Sequence, residues 1–170
     1  MNFTLILNGL ESNLLTPGST LQIPRIITNY EIIQTMDKAH NLLNISYQRT
    51  ISPDYQRFFE RFYQIFTASE PEVLKLFAST DMERQYQMLM ESMTHLITFA
   101  REQEPSEEMK AMAAIHGKAR LDIPVEFYDI WLNSLIEAIQ ELDPKFNSHV
   151  EKAWRKVLSP GIDYMKSFCR

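Results

Sequence analysis

His116 is the side chain whose type and setting point most directly to chemistry. It closes an apolar stripe of Met109, Met112, Ala113 and His116, spaced as one face of a helix. A neutral imidazole there has two readings. It can be a hydrogen-bonded core residue, or it can offer a ring nitrogen to a metal or a metal-bearing cofactor. The residue pattern alone leaves both open. His40, His95 and His149 read as surface or boundary residues.

Other chemistries find less support. Di-metal sites in helical bundles use Glu-x-x-His pairs on two helices. Here Glu91 and His95 are four apart and Glu151 follows His149, so the acidic residues read as solvated faces. The nine methionines read as adaptable core filler. Cys169, the single cysteine, supports no disulfide framework or Cys-based zinc site and reads as a frayed end. No serine sits in a strained Gly-x-Ser-x-Gly turn, so nucleophilic catalysis has no basis. Gly9, Gly18, Gly117 and Gly161 are scattered, which excludes P-loop and Rossmann phosphate sites. A net charge of −5 argues against nucleic acid as the main partner.

The elements that must position His116 are helical. With 170 residues the chain is one domain, long enough for a proper core. Residues 1–27, with Pro17, Gly18 and Pro24, read as an irregular N-terminal arm, and 28–170 as the helical domain. Thr28 to Glu31 fits a capping box. The run that follows, through Met36, Leu43 and Tyr47, is one helix or two with a break near Asp37. Ser52-Pro53 opens the next helix, which carries Phe58, Phe59, Phe62, Tyr63 and Phe66. Ser69 to Glu72 and Thr80 to Glu83 fit two further capping boxes. The second begins a long helix with Met82, Gln85, Leu89, Met93, Leu96 and Ala100 on one face. Arg101 to Ser106 reads as a loop, and a helix from Glu107 carries His116. Pro124 to Leu142 is amphipathic, and Asp143-Pro144 starts the last helix, which Pro160-Gly161 kinks or stops. No stretch reaches the roughly 18–20 apolar residues that span a bilayer, and the N-terminus lacks a basic export region. A cytoplasmic protein is expected.

Several stretches, in order, resemble the globin family, specifically single-domain bacterial haemoglobins and the globin module of flavohaemoglobins. Leu42 to Arg49 is similar to the family's first core helix. Arg61-Phe62-Tyr63, then Pro71 to Phe77, is similar to its second helix and the corner after it. Asp81-Met82-x-x-Gln85-x-x-x-Leu89-Met90 resembles the distal helix, His116 falls where the proximal ligand belongs, and Ala153-Trp154 marks the final helix. The resemblance covers about residues 36–160. It implies an all-α globin fold, a three-on-three helical sandwich around haem b, with an N-terminal extension.

The resemblance also implies roles. His116 would ligate the iron, with Tyr63, Gln85 and Leu89 lining the pocket for O2, NO or CO. Phe77 would stack on the porphyrin. Tyr128 would orient the imidazole, and Arg84, Lys118 and Arg120 would pair with haem propionates. NO dioxygenation would need an external reductase, because no flavin or nicotinamide domain is expected after the last helix. A haem-based sensor or interaction module acting through a homodimer is a second reading, and a haem-free globin-like fold a third.

Three departures from the family pattern bear on these roles. The segment from Phe62-Tyr63 to Phe66 is one residue shorter than Phe-Tyr-x-x-Leu-Phe, so counting from Phe77 puts Tyr63 in the pocket and counting from Phe66 puts Phe62 there. A one-residue slip turns a helix by about 100°. No glutamate follows Pro160-Gly161 to polarise the proximal histidine, which weighs against peroxidase-like activation. The distal polar residue is Gln85 rather than His, with Tyr86 beside it.

Overall fold

Apolar residues three and four apart recur through the chain, and in the computed structural model they gather onto helices. The structure describes residues 29–169. The arm at 1–27 and the Thr28 hydroxyl lie outside the described residues. Seven helices follow in order: α1 Asn29–Thr50, α2 Tyr55–Ser69, α3 Pro71–Phe77, α4 Met82–Glu102, α5 Glu107–His116, α6 Val125–Leu142 and α7 Ser148–Ser167. α1 runs through Asp37 without a break.

The helix starts show which polar side chains win the free amides of a first turn. Ser106 accepts from the Met109 amide, and at α4 it is Asp81, not Thr80 of the expected capping box, that accepts from the Arg84 amide. Asp54 caps α2 through the Arg57 amide, so the helix opens after Ser52-Pro53 rather than at it. Ser69 caps nothing. Its hydroxyl bonds the Phe66 carbonyl, and α3 starts on Pro71 alone.

One layer of α1, α4 and α5 packs on a second of α2, α6 and α7. Trp154, Phe58, Phe59, Phe62, Leu43, Met93, Met109 and Leu135 are fully buried between them. His40, read as a surface or boundary residue, is buried at 4% exposure, and its Nε2 has no hydrogen-bond partner among the described residues. Helical spacing allowed either side, and α1 packs on α7 with this residue turned inward.

Asp143 does not start the last helix. It ends α6, and its carboxylate is taken by α1: Arg49 donates Nε and Nη2 at 2.9 and 2.7 Å, and the Ser46 hydroxyl donates at 2.7 Å. Trp154 Nε1 donates to the Ser46 oxygen at 3.1 Å, bringing α7 into the same network. α7 itself is capped by Asn147, which accepts from the His149 and Val150 amides.

Pro160 lies inside α7 and neither stops it nor splits off a tail helix. The carbonyl it leaves without a helix donor belongs to Lys156, an exposed residue. Gly161 serves packing. A Cβ there would stand 2.6 Å from Leu96 Cδ2, so the missing side chain lets α7 cross close to α4.

Candidate functional site

The distal side is built by α2, the α3 corner and α4. Phe62 and Tyr63 are adjacent and both buried, and the helix sends them in different directions. Phe62 turns to α6, edge-on to Trp131 at 5.8 Å. Tyr63 turns to α3 and α4. Its ring meets Phe77 edge-on at 5.2 Å and stacks on Tyr86 at 5.7 Å. Gln85 Nε2 donates to the Tyr63 hydroxyl at 2.9 Å. The phenol oxygen is thus the acceptor, and its proton is left for another partner. Leu89, one turn beyond Gln85, is buried. Burial pushes the Tyr63 phenol up to about 12, with the Gln85 hydrogen bond opposing and Tyr86 adding to the rise. The hydroxyl is a neutral donor across the ordinary pH range.

His116 ends α5 and is half-buried. Its Nδ1 lies 2.9 Å from the carbonyl oxygen of Met112, one turn earlier. A carbonyl only accepts, so Nδ1 carries the proton and Nε2 holds the lone pair. The carbonyl of His116 accepts the Ile123 amide at 3.1 Å. Neutral imidazole with a fixed tautomer and a free Nε2 is the donor that haem iron takes. The residues present fit the group.

The remaining expected residues divide. Phe77 joins the distal cluster. Arg84, Lys118 and Arg120 are exposed, and none forms an ion pair among the described residues. Arg84 stands in the first turn of α4, and Lys118 and Arg120 in the turn after His116. Among the described residues, no hydrogen bond joins the imidazole to Tyr128. Its hydroxyl lies 3.4 Å from Cys169 Sγ, and burial followed by the thiol raises its pKa.

Two residues escaped sequence reasoning. Cys169 is no frayed end: it is half-buried, with Sγ 3.6 Å from the His116 carbonyl oxygen. Its signal was there, since Cys169 continues the apolar stripe of Leu158, Ile162 and Met165 at helical spacing. Tyr86 had a place beside the pocket but not its stacking on Tyr63, which follows from the register of α2 against α4.

Comparison with known proteins bears on the family and the fold. The globin family model matches residues 50–165. A solved structure, protein PA3967 from Pseudomonas aeruginosa PAO1, described as structurally highly homologous to a human haemoglobin, is 34% identical to this chain. It aligns with a TM-score of 0.69, over 76% of this chain and 97% of its own. No curated protein matches the sequence. The chain belongs to the globin family, whose members bind haem, and its all-helical architecture is the globin fold. No helix among the described residues is long and apolar enough to cross a membrane.

Proposed function

We propose that this globin holds haem b through Nε2 of His116 and binds O2, or another diatomic gas such as NO or CO, against Tyr63 and Gln85. The observation that carries the reading is the 2.9 Å bond from His116 Nδ1 to the Met112 carbonyl, which leaves Nε2 free. Haem iron held by this imidazole would supply a site able to bind a diatomic gas.

The chain's own residues then act on that gas. Tyr63 offers a buried, neutral O–H, oriented from behind by the Gln85 amide. O2 accepting electron density becomes a better hydrogen-bond acceptor than CO, so the pair favours O2. Such a bond contributes about 1–3 kcal/mol in a dry pocket. Leu89 would limit the space beside the gas, and Phe77, packed edge-on to Tyr63, would help hold the porphyrin. Met88, Ile115 and Leu121, next in sequence to Leu89, His116 and Arg120, are exposed apolar residues of the kind a bound porphyrin would cover. Arg84, Lys118 and Arg120, exposed and without an ion pair among the described residues, are cations suited to its propionates.

Titration of the purified chain with haemin tests the reading. One equivalent taken up with an intense absorption band, and none of that band in His116→Ala, supports it. A wild-type chain that stays colourless and rejects haemin sinks it.

A further inference from the structure

We infer that Tyr128 and Cys169 are positioning residues for the His116 imidazole: they tie the His116 carbonyl to the end of α7, so that α7 sets how far this end of α5 can move. The inference rests on the reading of His116 as the axial ligand and adds to it.

The backbone around His116 is gripped at three places by Phe168 and Cys169, the two residues that follow α7. Cys169 Sγ lies 3.6 Å from the His116 carbonyl oxygen, and its longer alternative, the Met165 carbonyl, is at 3.8 Å. The Lys118 amide donates to the Phe168 carbonyl at 3.1 Å. Gly117 comes so near that an added Cβ would stand 2.8 Å from that same Phe168 oxygen. Tyr128, on α6, completes the arrangement. Its ring is buried at 8% exposure, and the thiol at 3.4 Å is the partner its hydroxyl finds.

Proton placement follows from the donors and acceptors. The His116 carbonyl only accepts, so the thiol gives its proton there. The Tyr128 hydroxyl then gives its own to sulfur. The relay runs from Tyr128 through Cys169 to the backbone of His116, not to its ring. It therefore acts on where the imidazole sits rather than on its basicity. Thiol bonds are individually weak. Here they act with the Ile123 amide on one carbonyl and with the Met112 carbonyl on the ring, so small terms converge on one residue. An axial ligand is useful only while held to within about 0.5 Å of its working geometry.

The test compares Tyr128→Phe, Cys169→Ala and Cys169→Ser. In the reduced, haem-loaded protein, the iron–imidazole stretching band should shift in Tyr128→Phe and Cys169→Ala. CO dissociation should change on the order of three- to tenfold. The double variant should add little to either single one, and Cys169→Ser, which keeps a donor, should recover most of the wild-type values. In the haem-free protein, Cys169→Ala should speed amide exchange at residues 113–118 and leave α2 unchanged. An unmoved band and unchanged dissociation in both variants, with His116 still the ligand, overturns the inference and leaves the proposed function standing. Should the wild type take up no haem through His116, the proposed function falls, and the exchange measurement alone decides: faster exchange at 113–118 supports the clamp, and unchanged exchange overturns it.

Discussion

Gln85 gives its amide proton to the Tyr63 hydroxyl across 2.9 Å, so the phenol proton is free for whatever enters the distal pocket. The direction of this bond distinguishes the two side chains. Tyr63→Phe removes the donor to the gas and should speed O2 dissociation on the order of ten- to hundredfold. Gln85→Leu leaves the donor in place and should change the rate less. CO dissociation should move little in either. Stopped-flow displacement of O2 by CO checks the order of effects; a Tyr63→Phe protein that holds O2 as long as wild type would remove Tyr63 from the account.

The same phenol gives a pH dependence. Burial lifts Tyr63 from its ordinary value of 10.0 to about 12. A group bound more tightly to its proton in the folded state contributes stability below pH 10, lost as pH rises through 12. The folded phenol keeps its proton past pH 10, so O2 dissociation should stay flat through pH 10 and accelerate only as pH approaches about 12. Tyr63→Phe should lack that rise.

Asp143 predicts the acid limb. Burial alone would raise its carboxyl, but hydrogen bonds from Arg49, Ser46 and the Lys145 amide, with the Arg49 charge, outweigh it and hold it below its ordinary 3.8. A depressed carboxyl contributes stability above its unfolded value, lost as pH falls through the folded one. Asp143→Asn should cost about 3 kcal/mol in urea unfolding at pH 7, because it breaks a buried pair that joins α1 to the end of α6. It should also flatten the stability loss below pH 4. An unchanged unfolding midpoint would show that the network stabilises nothing.

His40 predicts the opposite substitution effect. Its buried Nε2 has no hydrogen-bond partner among the described residues, and burial first, then Arg101, lowers its pKa against the pull of Asp37. Its neutral form is the folded one, so stability falls as pH drops below its ordinary 6.5. His40→Leu should raise stability by about 1 kcal/mol at neutral pH and remove that slope. A loss of stability at pH 7 would mean the imidazole is engaged after all.

The two described glycines should differ. Both would gain a clashing Cβ, but at Gly161 the nearest atom is the end of the Leu96 side chain, and at Gly117 it is the Phe168 carbonyl. Leu96 can turn and backbone cannot. Gly161→Ala should be near neutral, since the roughly 1 kcal/mol gained in helix propensity offsets the crowding. Gly117→Ala should cost about 1–3 kcal/mol, read as a lowered thermal midpoint.

Much of the fold was legible because it rests on periodic, local signals. The stripe of Leu89, Met93, Leu96 and Ala100 needs nothing beyond its own helix, whereas the cap of α4 fell to Asp81 rather than to Thr80 of the expected capping box. Misreadings arose where a distant partner decides. Asp143 has the chemistry of a helix start, and only the arrival of Arg49 and Ser46 from α1 makes it a tie between helices. Pro160 breaks isolated helices but is tolerated where the helix is packed along its length. Burial of His40 depends on which side of α1 meets α7, and near a stripe edge the sequence does not decide that. At the site, Tyr63, Gln85 and Leu89 follow from register along α2 and α4. The Tyr128–Cys169 contact joins residues 41 positions apart, and no local pattern announces it.

Axial ligation by His116 Nε2 carries every functional statement above. The most direct measurement is the absorption spectrum of haem-loaded His116→Gly with and without added imidazole, beside wild type. A spectrum lost in the variant and restored by imidazole, which fills the vacated position with the same donor, is the predicted result. A His116→Gly protein whose spectrum matches wild type without imidazole would contradict the account.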